Sequence, residues 1–121
     1  MNGIVVGLQA RLGLVIRLPE CSEDIEIQCV VDTGFEGFLT LPLAAIEALG
    51  LPYAGRIDAN LADDSNVSTE VYWATVSWRG ADCDIAVLGM GQRPLIGTGL
   101  LENYHFSVDF YDGGTVLVDD I

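Results

Sequence analysis

Lysine is absent from this 121-residue chain, and histidine occurs once, as His105. Without lysine there is no Schiff-base chemistry and no lysine nucleophile. A single histidine cannot supply a three-histidine metal site within one chain. A Ser-His-Asp triad would need His105 beside a nucleophile, and no nucleophile-elbow pattern is present. His105 is expected at a helix end or strand start, with no catalytic part. Cysteine is scarce too: Cys21, Cys29 and Cys83 form an odd set without C-x-x-C spacing. That argues against a disulfide framework and against structural zinc. Cys29 and Cys83 lie in apolar-alternating stretches and read as small core residues, which suits a reducing compartment. No uninterrupted apolar run approaches the length that crosses a bilayer. The opening Met1 to Gln9 has neither a positive leader nor a long apolar stretch. It reads as a first strand rather than a signal peptide, so a cytoplasmic location is expected.

Positive charge is the other shortage. Five arginines face 18 acidic residues, for a formal charge of −13. Phosphate would be repelled, so neither nucleic acid nor an anionic membrane is expected as a partner. The excess acid keeps a protein dispersed and suits neutral or basic partners. What the chain does have is apolar substance: 50% of its residues are hydrophobic, enough to bury a core. The length fits one domain, residues 1–121.

Period-two alternation dominates. Leu12 to Leu18 is an apolar run closed by Pro19, and Ile25 to Val31 puts Ile25, Ile27, Cys29 and Val31 on one face. Phe38 to Leu41 reads as a short strand. Pro42 to Leu49 reads as a helix, started by Pro42 and stopped by a left-handed Gly50. Long strands are expected over Arg56–Ala62 and Val67–Trp78, reversed by the short polar residues Asp63-Asp64-Ser65-Asn66. Arg79-Gly80 turns the chain into Asp82–Leu88, and Gly89 to Pro94 is a loop. A short helix is expected over Thr98–Asn103. Phe106, Val108 and Phe110 alternate before Asp112-Gly113-Gly114 turns into Thr115–Val118. Trp73 and Trp78 read as core or interface anchors. Asp82, Asp84, Asp109, Asp119 and Asp120 read as solvent-facing charges. The expected class is all-β: a closed or partly closed β-barrel with one or two short helices.

One position carries chemistry. In Val30-Val31-Asp32-Thr33-Gly34 an acid directly follows an apolar strand. A carboxylate there is lifted partly out of water, and the glycine lets backbone N–H groups approach it. An Asp-x-Gly triplet alone is also an ordinary turn. About one lobe's length downstream stands Pro94-Leu95-Ile96-Gly97, two apolar residues and a glycine before the helical Leu100-Leu101. Gly97-Thr98-Gly99 mimics the start of a dinucleotide loop. However, Glu102 holds the place of its third glycine and no βαβ unit surrounds it, so no cofactor is implied.

An apolar strand into Asp-Thr-Gly, then apolar-apolar-Gly before a helix, resembles the retropepsin-like aspartic peptidases. The order of motifs agrees from about Ile25 to Val118. The string Asp32 to Pro42 and the closing Phe106–Phe110 segment resemble small prokaryotic relatives of the viral enzymes. The resemblance implies an acid-protease fold in which one lobe pairs with a second copy, and an aspartic endopeptidase acting on polypeptides. Asp32 would be the catalytic carboxylate. Thr33 would hydrogen-bond across the two-fold axis, and Gly34 would keep the loop close to the carboxylate. Leu95, Ile96 and Gly97 would pack beneath that loop in a ψ-shaped crossing. The hairpin tip, Ala62, Asp63, Asp64, Ser65, Asn66 and Val67, would be the flap. The chain termini would contribute strands to the dimer.

Two departures from the pattern shape the alternatives. Phe35 stands where the family commonly has a small residue, and a phenyl ring there is expected to narrow the site or shift its pH optimum. The tip lacks the glycines of viral flaps and carries Asp63 and Asp64. These read as solvated turn residues, or, if they overhang the cleft, as a preference for basic substrates. A second reading is therefore a retropepsin-fold dimer that binds peptide with weak or no catalysis. A third is an unrelated acidic β-domain with a basic partner, which a monomeric state would favour.

Overall fold

Apolar residues at every second position make each strand a one-sided surface, and the fold arises from how these surfaces close on one another. The computed structural model describes residues 1–18, 23–60 and 63–121. Strand β1 (Asn2–Val6) returns at once into β2 (Gln9–Arg17). Between them Gly7 and Leu8 take left-handed conformations, with φ of 57° and 62°. That pair of positive φ angles gives the tight turn whose twist matches flanking strands. The stretch Met1 to Gln9 is therefore a strand and a turn rather than one strand. Along β2, Leu12, Leu14 and Ile16 are fully buried. Strand β3 (Asp24–Val31) runs antiparallel to β2, in register from Arg11↔Val30 to Arg17↔Asp24. Cys29 faces the core and Ile27 and Val31 pack against it, while Ile25 is exposed at the far end. Pro19 and Cys21 lie outside the described residues.

Strand β4 (Leu39–Leu41) leads through Pro42 into helix α1 (Leu43–Leu49). Gly50 stops it as expected, with φ 66° and its N–H donating to the carbonyls of Ile46 and Glu47. Strands β5 (Tyr53–Asn60) and β6 (Asn66–Trp78) form a long hairpin in register to Asn60↔Asn66. Arg79 and Gly80, both at positive φ, turn β6 into β7 (Ala81–Gly89). Then come β8 (Leu95–Ile96), α2 (Thr98–Leu101), β9 (Tyr104–Val108) and β10 (Thr115–Asp120). Helix α2 stops at Leu101, short of the expected Asn103, which takes φ 70°. Phe110 is not the next core residue of β9 either. The strand ends at Val108, and Phe110 is exposed in the turn.

The strand order is β5-β6-β7-β4-β8-β3-β2-β1-β10-β9, with an added pairing between β6 and β2. That pairing, Val15↔Ser77 to Arg17↔Thr75, closes six strands into a ring: β2, β3, β8, β4, β7 and β6. Within the ring β3–β8 and β4–β7 are parallel and the other pairs antiparallel. Strands β1, β10 and β9 extend it on one side. The core collects Val5, Leu12, Leu14, Ile16, Leu39, Leu41, Ile46, Val76, Val87, Ile96, Val116 and Val118. Trp78 belongs to it, stacked edge-on against Tyr104 at 6.3 Å, whereas Trp73 is half exposed on the other face of β6. Asp82, Asp84, Asp109, Asp119 and Asp120 are exposed, and His105 lies exposed on β9. Among the described residues no helix is long and apolar enough to cross a membrane.

Candidate active site

The Asp-Thr-Gly segment sits where β3 runs out. Val30 and Val31 pair in parallel with Leu95 and Ile96, and the N–H of Asp32 extends the ladder to the Ile96 carbonyl at 2.9 Å. On its other side β8 pairs antiparallel with β4, through Leu39↔Ile96 and Thr40↔Leu95. The Leu-Ile-Gly segment is thus threaded between the strand that enters the Asp32 loop and the strand that leaves it. Three further bonds pin the loop from below. Gly97 N–H donates to Phe38 O (3.0 Å), Thr98 N–H to Phe35 O (2.8 Å) and Gly99 N–H to Gly37 O (3.0 Å). Gly97 is required by space. A β-carbon there would lie 2.2 Å from the Gly37 carbonyl oxygen and 2.6 Å from that of Phe35. Its φ of −96° is open to any residue.

Within the loop, the N–H of Gly34 donates to Asp32 Oδ1 at 2.9 Å. A β-carbon on Gly34 would sit 3.2 Å from the same oxygen, so glycine keeps backbone and carboxylate close. Asp32 is half-buried and Thr33 and Gly34 are exposed. The carboxylate lines a groove of about 530 Å³ with Leu8, Val30, Thr33, Leu95, Phe106 and Phe110. Ile96 is fully buried beneath it, while Leu95 is half-buried on the groove side. Phe35 does not line this groove. Its ring lies where β-carbons on Gly37 (2.4 Å from Cζ) and Gly97 (2.6 Å from Cδ2) would stand. Two glycines make room for the ring against the Leu95-Ile96-Gly97 segment.

The β5–β6 hairpin is the one whose tip the resemblance assigns to a flap. Ala62 lies outside the described residues. Asp63, Asp64, Ser65, Asn66 and Val67 are exposed, and none of them lines the groove over Asp32. Asp63 closes the turn: its Oδ1 accepts from Ser65 N–H at 3.0 Å and from the Ser65 hydroxyl at 2.5 Å. Those bonds hold its carboxyl below the usual range. At the base of the hairpin, Thr69 is buried and its hydroxyl donates to the Gly89 carbonyl at 3.2 Å. Arg56 bonds Ser68 and Glu70 across the two strands. Neither Cys29 nor Cys83 is poised as a thiolate: burial pushes Cys29 up to about 12, and burial with Asp84 and Asp82 raises Cys83.

Sequence reasoning missed the groove's flank. Arg93 and Gln9 line it with Asp32, and Arg11, Gln28 and Gln92 join them in an adjoining pocket of about 340 Å³. A signal for part of this was present. If Cys29 and Val31 face the core, then Gln28, Val30 and Asp32 must share the opposite face of β3. The contribution of Arg11 and Arg93 depends on the β2–β3–β8 register, which no local pattern announces.

No protein-family model matches the sequence, and no curated protein matches it. Solved structures do. One is a retropepsin-like aspartic protease from Rickettsia conorii, 18% identical, with a TM-score of 0.58 over 96% of this chain and 87% of that one. Another is the EIAV protease complexed with the inhibitor HBY-793, 17% identical, with a TM-score of 0.51 over 82% of this chain and 92% of that one. At such identities the similarity is one of fold, and the fold of this all-β chain is retropepsin-like.

Proposed function

We propose that this chain, with its retropepsin-like fold, is one lobe of a homodimeric aspartic endopeptidase whose two Asp32 carboxylates hydrolyse peptide bonds. The observation that carries the reading is the Asp32 loop itself. Its carboxylate accepts the Gly34 N–H, its backbone is tied to Ile96, and it opens into a groove. One such carboxylate is a poor amide hydrolase. Two within hydrogen-bond reach cannot both ionise easily and so share a proton. The ionised member takes a proton from water as the oxygen attacks the scissile carbonyl carbon. The protonated member gives its proton to the carbonyl oxygen. Collapse of the tetrahedral intermediate breaks the C–N bond, the departing nitrogen takes up the proton, and acid and amine products leave.

A two-fold pair of identical chains supplies both carboxylates from one sequence. The surface next to the groove supports a partner there. Gly7 N–H donates to Asp112 Oδ1 and Gly113 N–H to Val5 O, each at 2.9 Å, which draws the two turns together. Val6, Leu8, Phe110 and Tyr111 are exposed at this shared tip, with Leu8 at 73%. An apolar patch of that kind marks a contact surface, and the exposed Thr33 lies beside it on the groove wall.

The test is cleavage of a mixed peptide library by the wild type and by Asp32→Asn at mildly acidic pH, kept above the sequence pI of about 4.1. Cleavage should vanish in the variant while its circular dichroism and sedimentation stay those of the wild type. Cleavage retained in Asp32→Asn would remove Asp32 from the mechanism. A wild type that binds peptides and never cuts them would leave the peptide-binding dimer as the function.

A further inference from the structure

We infer that the Arg11–Arg93 end of the Asp32 groove is an anion-selecting subsite that takes a glutamate or aspartate side chain of an extended peptide. The inference rests on the peptide-binding part of the reading above and adds a substrate class to it. Arg17 is ion-paired with Asp24 and with Asp82, Arg56 with Glu70, and Arg79 with Asp120. Among the described residues Arg11 and Arg93 have no ion pair, although acids outnumber arginines 18 to five. Arg11 spends one nitrogen on the Gln9 side-chain oxygen at 3.1 Å, while its buried Nε has no partner.

These two arginines lie together at the site. Arg93 lines both the groove over Asp32 and the pocket beside it, where Arg11 faces Gln28 and Gln92. Cross-strand register explains the meeting. Arg11 pairs with Val30 and Val30 with Leu95, so all three belong to the face that carries the Asp32 side chain. No carboxylate lines the adjoining pocket. The acids nearest on that face are Asp32, which shares the groove with Arg93 without an ion pair, and Glu26, whose Oε1 lies over Gly13, 2.2 Å from where a β-carbon would stand. The pocket therefore presents two guanidinium groups and amide donors. A carboxylate can satisfy a guanidinium through two parallel N–H···O bonds, and it would meet positive charge there. The net charge of −13 disfavours an acidic side chain over the surface as a whole, so the preference is expected at this one position. From Asp32 to Gln28 along β3 is about 13 Å, which an extended peptide covers in roughly four residues.

The test uses ten-residue peptides in which each position in turn is Glu, Gln or Lys. Binding to the Asp32→Asn protein is read by fluorescence anisotropy, and cleavage by the wild type as kcat and KM separately. Glu should be favoured over Gln at least tenfold, in Kd and in KM, at one position three or four residues from the scissile bond. Lys should be the poorest residue there. Arg93→Gln should remove that preference, Arg93→Glu should reverse it toward Lys, and Arg17→Gln, equal in charge change, should leave it intact. A Glu preference in binding without cleavage would keep the subsite and sink the peptidase. Cleavage with no Glu preference would do the opposite. Should Arg93→Gln weaken the dimer in sedimentation and lower binding of Glu and Gln peptides equally, the arginines pair with the partner subunit's carboxylates and the subsite is overturned.

Discussion

Gly97→Ala tests whether the ψ-crossing is what fixes the Asp32 loop. Its β-carbon would stand 2.2 Å from Gly37 O, and 2.6 Å from Phe35 O and from Phe35 Cδ2. Ordinary carbon–oxygen contact needs about 1 Å more than the tightest of these, and two of the three atoms are backbone. The loop must therefore lift from β8 and α2. Forced overpacking costs about 1–3 kcal/mol. Lifting also weakens the Gly97, Thr98 and Gly99 N–H bonds to the loop, and losing one of them costs about 1 kcal/mol. The lower unfolded-state entropy of alanine offsets about 0.4–1 kcal/mol. The net expectation is destabilisation by about 2–3 kcal/mol, or a fall in Tm of about 8–12 °C for a domain of this size. Urea unfolding followed by far-UV circular dichroism reads it. Gly37→Ala gives an internal contrast, because the atoms its β-carbon would meet first all belong to the Phe35 ring, 2.4 Å away at Cζ. In a Phe35→Ala background, Gly37→Ala should cost less than about 0.5 kcal/mol, while Gly97→Ala should stay costly. A Gly97→Ala loss below about 0.5 kcal/mol, or its full rescue by Phe35→Ala, would refute a backbone-limited crossing.

Trp78→Ala should cost about 3–5 kcal/mol in urea unfolding, since the ring is 6% exposed against Tyr104, whereas Trp73→Ala, at 49% exposure, should cost under about 1 kcal/mol. Cys29 should resist thiol reagents in the native protein and label on unfolding, as peptide mapping would show. Its folded value, raised from 9.0 to about 12, contributes stability that is complete below pH 9 and lost as the pH climbs toward 12. Cys29→Ala should flatten that part of the urea-midpoint profile. Leu8→Glu should raise the dimer dissociation constant at least tenfold in sedimentation with the fold intact, because Leu8 is 73% exposed. A wild type that stays monomeric at high concentration would defeat the paired-lobe reading.

Local chemistry wrote much of this fold legibly. Pro42 and Gly50 bracket α1, Arg79-Gly80 reverses the chain, and the period of β2 and β3 names their buried faces. The Asp32 loop and Leu95-Ile96-Gly97 could be paired because each carries its own glycine-marked signature. What stayed hidden had no local mark. Leu8 takes a left-handed turn that leucine does not advertise, so Met1 to Gln9 reads as one strand with no turn in it. Phe110 keeps the alternation of β9 although the strand has ended. The closure of β2 on β6 joins residues some sixty positions apart, as with Val15 and Ser77, and only the assembled ring decides it. The arginine pocket beside Asp32 was illegible for the same reason.

Strand β6 changes neighbours partway along. From Glu70 to Trp78 it is held by β7, and near its end by β2 as well. Among the described residues, its only ladder from Asn66 to Thr69 is with β5. A two-stranded ribbon alone is marginal in water. One strand therefore joins a stiff foundation to a lever, with Thr69 and Glu70 as the fulcrum. Backbone amides on the two sides of that point should exchange with solvent on separate clocks, those of the outer ribbon at the cost of opening one ladder and those of the ring at the cost of the whole fold.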